Sequence, residues 1–97
     1  MKISEAIRKG CQVCPNQAFN SFFFEADHAA CALGAAGIGA GIQPTRVDQA
    51  TLFLQFPVLG DDFLDTLESF YHRILFWNDQ MRWTREEIAD RLEEMDV

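Results

Sequence analysis

Residues 78–90, Asn78-Asp79-Gln80-Met81-Arg82-Trp83-Thr84-Arg85-Glu86-Glu87-Ile88-Ala89-Asp90, spell out a helix start almost in full. Thr84 is a strong N-cap because its hydroxyl can accept from a free amide of the first turn, and Glu87 three residues on completes a capping box. Trp83, just outside the helix, is placed to pack on Ile88 as a hydrophobic staple. Upstream, Asn78 and Asp79 are turn formers that end one helix and point the chain back. The segment therefore predicts an αα-corner, with a last helix over Arg85–Met95 that turns Ile88, Leu92 and Met95 inward.

The helix before the corner has the clearest period in the chain. From Asp61 or Asp62 to Trp77, the residues Phe63, Leu64, Leu67, Phe70, Tyr71, Ile74 and Leu75 recur at spacings of three and four. This reads as the central helix. Nearer the N-terminus, Ser4 is a cap for a short first helix carrying Ile3, Ile7 and Cys11, and Gly10 is its natural stop. Cys14-Pro15-Asn16 reads as a turn, since Pro forbids helix continuation. Asp27 is positioned to cap a second helix through Ala29–Ala36 that is apolar all round and so predicted to be buried. Gly37-Ile38-Gly39-Ala40-Gly41 reads as a flexible break, and Thr45 as the cap of a third helix from Arg46 to Gln55, with Val47, Ala50, Thr51 and Leu54 as its stripe. The fold expected is mainly α: residues 1–97 as a single domain, a bundle of four to five short helices, with one short β-hairpin near residues 19–31 around Phe22–Phe24.

Composition agrees with a folded domain. Of 97 residues 48% are apolar, and nine Phe with two Trp supply anchors for one core. The longest apolar stretch, Ala29 to Ile42, has 14 residues, short of the roughly 20 that span a bilayer. No secretory pattern follows Met1, and three cysteines are an odd number, so reduced thiols in a cytoplasmic protein are the expectation. The charge of −7 is unevenly placed. Residues 1–60 hold four acids and four bases, whereas residues 61–97 hold eleven acids against four arginines and carry the whole excess. Such a surface repels phosphate backbones and anionic lipid, and suits either simple solubility or a basic protein partner.

Four groups of residues bear on chemistry. Cys11-x2-Cys14 and His28-x2-Cys31 form the ligand set of a structural zinc site, because a two-residue gap lets both members of a pair reach one tetrahedral ion. The competing reading buries the thiols: Cys11 continues the Ile3/Ile7 stripe, and Cys31 lies in an Ala/Leu helix where Cys behaves as a small hydrophobe. A redox pair wants its first thiol at a helix N-terminus, whereas Cys11 lies near a C-terminus. Asp65, Glu68 and His72 share one face of the central helix, which reads as a solvated face. Gly34-x2-Gly37-x-Gly39 lacks the strand before it and the helix after it that a phosphate-binding loop requires. Gly37-x3-Gly41 reads first as a plain helix stop, with close helix packing or a homodimer contact as the alternative.

The last helix also has the look of the first helix of a helix-turn-helix unit. With Val97 five residues past Leu92, no groove-reading helix is expected to follow it, which disfavours a DNA-associated regulator. Arg82, Arg85, Glu86 and Asp90 are then the residues of this segment expected on the surface, as candidate contacts for a partner.

Two stretches, Cys31-Ala32-Leu33-Gly34-Ala35-Ala36 and Asn78-Asp79 leading into Trp83-Thr84-Arg85-Glu86-x-Ile88-Ala89, with Phe56-Pro57 and Leu59 between them, resemble a group of small uncharacterised bacterial proteins. The resemblance covers most of the chain after residue 30, and Cys14 and His28 are not part of the group's pattern. It implies a stand-alone cytoplasmic protein, mainly helical, with no established activity. The sequence-based expectation is a non-enzymatic protein-interaction or regulatory module, with no favoured cofactor and structural zinc as the alternative.

Overall fold

The computed structural model describes residues 1–19, 29–60 and 69–97. Among these the chain is mainly helical: α1 (Ile3–Val13), α2 (Ala32–Gly39), α3 (Gln49–Gln55), α4 (Phe70–Asp79) and α5 (Arg85–Glu94). Two-residue strands β1 (Asn16–Gln17) and β2 (Ala29–Ala30) pair in parallel, Asn16 opposite Ala29 and Gln17 opposite Ala30. Residues 20–28, where most of the expected hairpin falls, lie outside the described residues, with Asp27 and His28 among them, as do Asp65, Glu68 and the first half of the predicted central helix.

Among the described residues the most deeply buried helix is α2. Ala32 to Ile38 are all buried, with α1, α3 and α4 packed around them, and α5 lies against α1 and α4. A helix of Ala and Gly can occupy that place because it has little side-chain bulk to hold its neighbours away. Of the glycines expected to break the chain here, Gly37 and Gly39 sit inside α2, and Gly41 (φ 96°) turns the chain just past its end. A β-carbon on Gly39 would lie 1.8 Å from the Ala6 carbonyl oxygen, and one on Gly10 would lie 1.8 Å from that of Ala35. Gly10 therefore does not stop α1. It lets α1 and α2 touch backbone to backbone, and α1 runs on to Val13. Gly37 is likewise occupied within the chain, closed over by Val47. Around this contact Ile3, Ile7, Leu33, Leu52, Leu59, Ile74, Ile88 and Leu92 are fully buried, each worth about 1.5–3 kcal/mol of transfer free energy.

The helix ends refine several expectations. Ser4 does not cap α1, since Lys2 holds the N-cap position without a side-chain bond, and the Ser4 hydroxyl donates instead to the Val97 carbonyl oxygen at 2.9 Å. Cys31 caps α2, its Sγ accepting from the Gly34 amide at 3.4 Å. Pro44–Arg46 forms a 3-10 turn, and Asp48, not Thr45, starts α3 through a reciprocal capping box with Thr51. Leu52 takes the inner position, beside Val47 against Gly37 of α2, and is fully buried, while Leu54, expected on the inner stripe, is 83% exposed. At the corner the Thr84/Glu87 capping box forms as predicted, with Glu87 N donating to Thr84 Oγ1 at 3.1 Å and Thr84 N donating to Glu87 Oε1 at 3.0 Å. Trp83 stacks on Trp77, ring centroids 5.3 Å apart, and Arg82 takes a left-handed backbone (φ 56°) that helps reverse the chain.

Candidate functional site

Asn78 does not end α4 as a turn former. It is 1% exposed, on the same helical stripe as Tyr71 and Ile74, and its amide is the hub of a buried polar network. Its Oδ1 accepts from the Ala32 amide at 3.0 Å and from Gln17 Nε2 at 2.9 Å. Its Nδ2 donates to the Ala18 carbonyl at 3.0 Å and to Asp79 Oδ1 at 2.7 Å. Gln17 extends the network to the corner, donating to the Trp83 carbonyl at 2.8 Å and accepting from the Arg85 amide at 3.2 Å. One asparagine thus fastens α4 to the start of α2 and to β1, and one glutamine fastens β1 to α5.

Arg85 corrects the expectation most sharply. Expected as an exposed partner contact, it is 5% exposed. Its Nη1 donates to the Cys14 carbonyl at 2.7 Å and the Ala30 carbonyl at 3.3 Å, and its Nη2 to the Pro15 carbonyl at 2.6 Å. The reason is electrostatic. A guanidinium is disfavoured beside the amide-rich start of its own helix, but it is stabilised by carbonyls at the end of another, and here Cys14 and Pro15 at the end of α1 present two, with Ala30 of β2 adding a third. Charge-assisted bonds of this kind are roughly twice as strong as neutral ones and offset the cost of burying the cation.

Around this anchor lies a cleft of about 320 Å³ lined by Cys11, Pro15, Gln17, Thr84, Arg85 and Glu86. It joins residues that the sequence left in separate groups. Cys11 and Cys14 belonged to the proposed zinc set, Arg85 and Glu86 to the proposed partner surface, and they meet where α1 ends and α5 begins. Burial is the largest influence on both thiols and pushes them up from their ordinary range, with Arg85 acting in the opposite direction and Glu86 adding to the rise at Cys11. Such thiols stay protonated at neutral pH and are weak nucleophiles. Cys31 stands apart at the head of α2, where burial pushes it up to about 11.

Among the described residues no three His, Cys, Asp or Glu side chains gather closely enough to hold one metal ion, the three thiols included, and His28 lies outside those residues. Helix geometry explains the separation: Cys31 caps α2 from within the core, while Cys11 and Cys14 face Arg85. His72 closes a local turn, its Nδ1 2.9 Å from Ser69 Oγ at the start of α4.

The remaining candidates of the corner lie on the surface. Arg82 sits over the Phe19 ring at 4.5 Å, and Glu86 is exposed at the rim of the cleft. Asp90 is exposed but ion-paired with Arg8 of α1 at 2.7 Å, and Glu93 shares that arginine at 3.1 Å. Beside them Phe76 is 54% and Met81 50% exposed, brought together at the end of α4 by a bond from the Met81 amide to the Phe76 carbonyl. Nothing in the sequence singled out Gln17. Asn78 did carry a signal, because it continues the Tyr71/Ile74 spacing onto the buried face. Comparison with known protein families, with curated proteins and with solved structures finds no match.

Proposed function

We propose that this chain is a non-enzymatic protein-interaction or regulatory module whose contact face is the outer side of the α4–α5 corner. The observation that carries the reading is the exposed pair Phe76 and Met81, set beside a helix whose outward residues are largely acidic. Aromatic residues and Met are enriched at the centres of protein interfaces, and charged residues at their rims. The polar side chains with most chemical capacity, Arg85, Asn78 and Gln17, are engaged in holding the fold and are not available to a substrate. The partner that suits this face is a basic protein segment bearing an apolar anchor, since acids steer such a ligand and exposed apolar surface retains it.

The test is affinity capture from the native cells with the wild type and with a Phe76→Ser/Met81→Ser variant that keeps its helical spectrum. A partner held by the wild type, lost with the variant and released by raised salt supports the proposal. Identical capture by both proteins removes it.

A further inference from the structure

Two thiols three residues apart stand at the end of α1, Cys11 in its last turn at the cleft and Cys14 at its C-cap, buried. Cys11 is half-buried and lines the cleft, whereas Cys14 is 2% exposed. Residues at this spacing on a helix have β-carbons about 5–6 Å apart. A disulfide brings them to about 3.5–4.5 Å, so closure needs a shift of roughly 1–2 Å. Cys14 can supply that movement. It is the residue that caps α1, its backbone (φ −129°, ψ 85°) has already left the helix, and Pro15 prevents any further helical turn.

We propose that Cys11 and Cys14 close reversibly into a disulfide, and that this bond reports the thiol–disulfide balance of the surroundings to the junction of α1 and α5. The oxidant is a low-molecular-weight disulfide of the glutathione class. In the first step the Cys11 thiolate attacks one sulfur of the reagent. The reagent's S–S bond breaks, and one equivalent leaves as a thiolate that takes up the proton given up by Cys11. In the second step the Cys14 thiolate attacks the Cys11 sulfur and expels the second equivalent, which takes up the proton of Cys14. Two protons and two electrons pass from the cysteines to the released thiols. Access sets the order, because only Cys11 lines the cleft.

The surroundings suit a slow sensor rather than a catalyst. From α5, Arg85 and Glu86 face Cys11, and Arg85 faces Cys14; burial keeps both thiols mostly protonated, so exchange is slow near neutrality. The output is built in. Arg85 holds the carbonyls of Cys14 and Pro15 at 2.7 and 2.6 Å, so pulling Cys14 toward Cys11 loosens the grip that fixes the start of α5.

The test treats the full chain with oxidised glutathione at mildly alkaline pH and follows intact mass and peptide maps. The expected result is a product lighter by two hydrogens, with Cys11 linked to Cys14 and Cys31 still free. Amide exchange over residues 85–89 should rise on the order of tenfold and return to its starting value on reduction. Cys14→Ala, which cannot complete the second step, should stop at a glutathione adduct on Cys11. Should the wild type also stop at that adduct, or react only after unfolding, or form the bond without change at residues 85–89, the proposal is overturned. The wild-type peptide map decides the matter even if the variant does not fold.

Discussion

The α1–α2 contact and the α4–α5 corner each bring two stretches of backbone close together, and they do so by opposite means. At the first, side chains are absent. Gly10 meets the Ala35 backbone and Gly39 meets that of Ala6, leaving no room for a β-carbon at either position. At the second, side chains fill the gap: Arg85, Asn78 and Gln17 reach across and bond to carbonyls and amides that the helix ends leave unpaired. Among the described residues no buried side-chain polar atom is left without a partner. The glycine contact is intolerant of any addition, and the polar corner is intolerant of any deletion.

The largest effect is expected from adding one methyl group to the first region. Gly39→Ala, or Gly10→Ala, must push the helices apart along their length, and a loss of about 3–5 kcal/mol in chemical denaturation is expected, enough to leave little folded protein. If either variant retained wild-type stability, the backbone contact would be wrong.

Deletion at the corner comes next. Arg85→Met keeps most of the apolar stem but takes the guanidinium away from the carbonyls of Cys14 and Pro15, while that of Ala30 keeps the Ala18 amide, for an expected loss of about 2–4 kcal/mol. An exposed arginine would lose less than about 0.5 kcal/mol on the same change.

How much of this was legible in the sequence follows from the same contrast. The Thr84/Glu87 box was readable because capping is local and needs only the spacing of two residues. The burial of Ala32–Ala36 was readable because a helix apolar on every side has nowhere else to go, whereas Gly37 and Ile38, read as part of a break, are buried in the same helix. The role of Gly10 was not, because a helix stop and a close approach leave the same letter in the chain, and only the position of Ala35 distinguishes them. Arg85 was misplaced on the surface for a similar reason: its partners are the backbone carbonyls of Cys14, Pro15 and Ala30, and carbonyls have no sequence signature. The join of Cys11 with Glu86 across 75 positions was beyond any local pattern.

Alkaline pH probes the apolar centre from a third side. The unfolded Cys31 thiol ionises near its ordinary value of 9.0, while in the folded chain burial holds the proton up to about 11. Since the raised value belongs to the folded state, stability is intact below pH 9 and falls as pH rises through that window, by about 1.4 kcal/mol per unit. Cys31→Ser keeps a capping acceptor for the Gly34 amide and removes the titration, so the two proteins should diverge above pH 9 and run parallel below it.

The caps contribute less. Thr84→Ala should cost about 1 kcal/mol, as should Asp48→Ala at α3. The smallest effects belong to the outer face: Glu86→Ala and Asp90→Ala should each stay within about 0.5 kcal/mol of the wild type, the Asp90–Arg8 pair being largely exposed. A large loss at Glu86 would show that the corner's polar frame extends to its rim.

The claim on which the rest depends is that Arg85 belongs to the interior of the corner. Modification of the native protein by an arginine-specific dicarbonyl, read site by site by mass spectrometry, tests it without any substitution. Arg46 and Arg91, both exposed, should react readily, while Arg85 should stay unmodified until the protein is unfolded. Modification of Arg85 in the native state at the rate of Arg46 and Arg91 would contradict the account and return that residue to the surface.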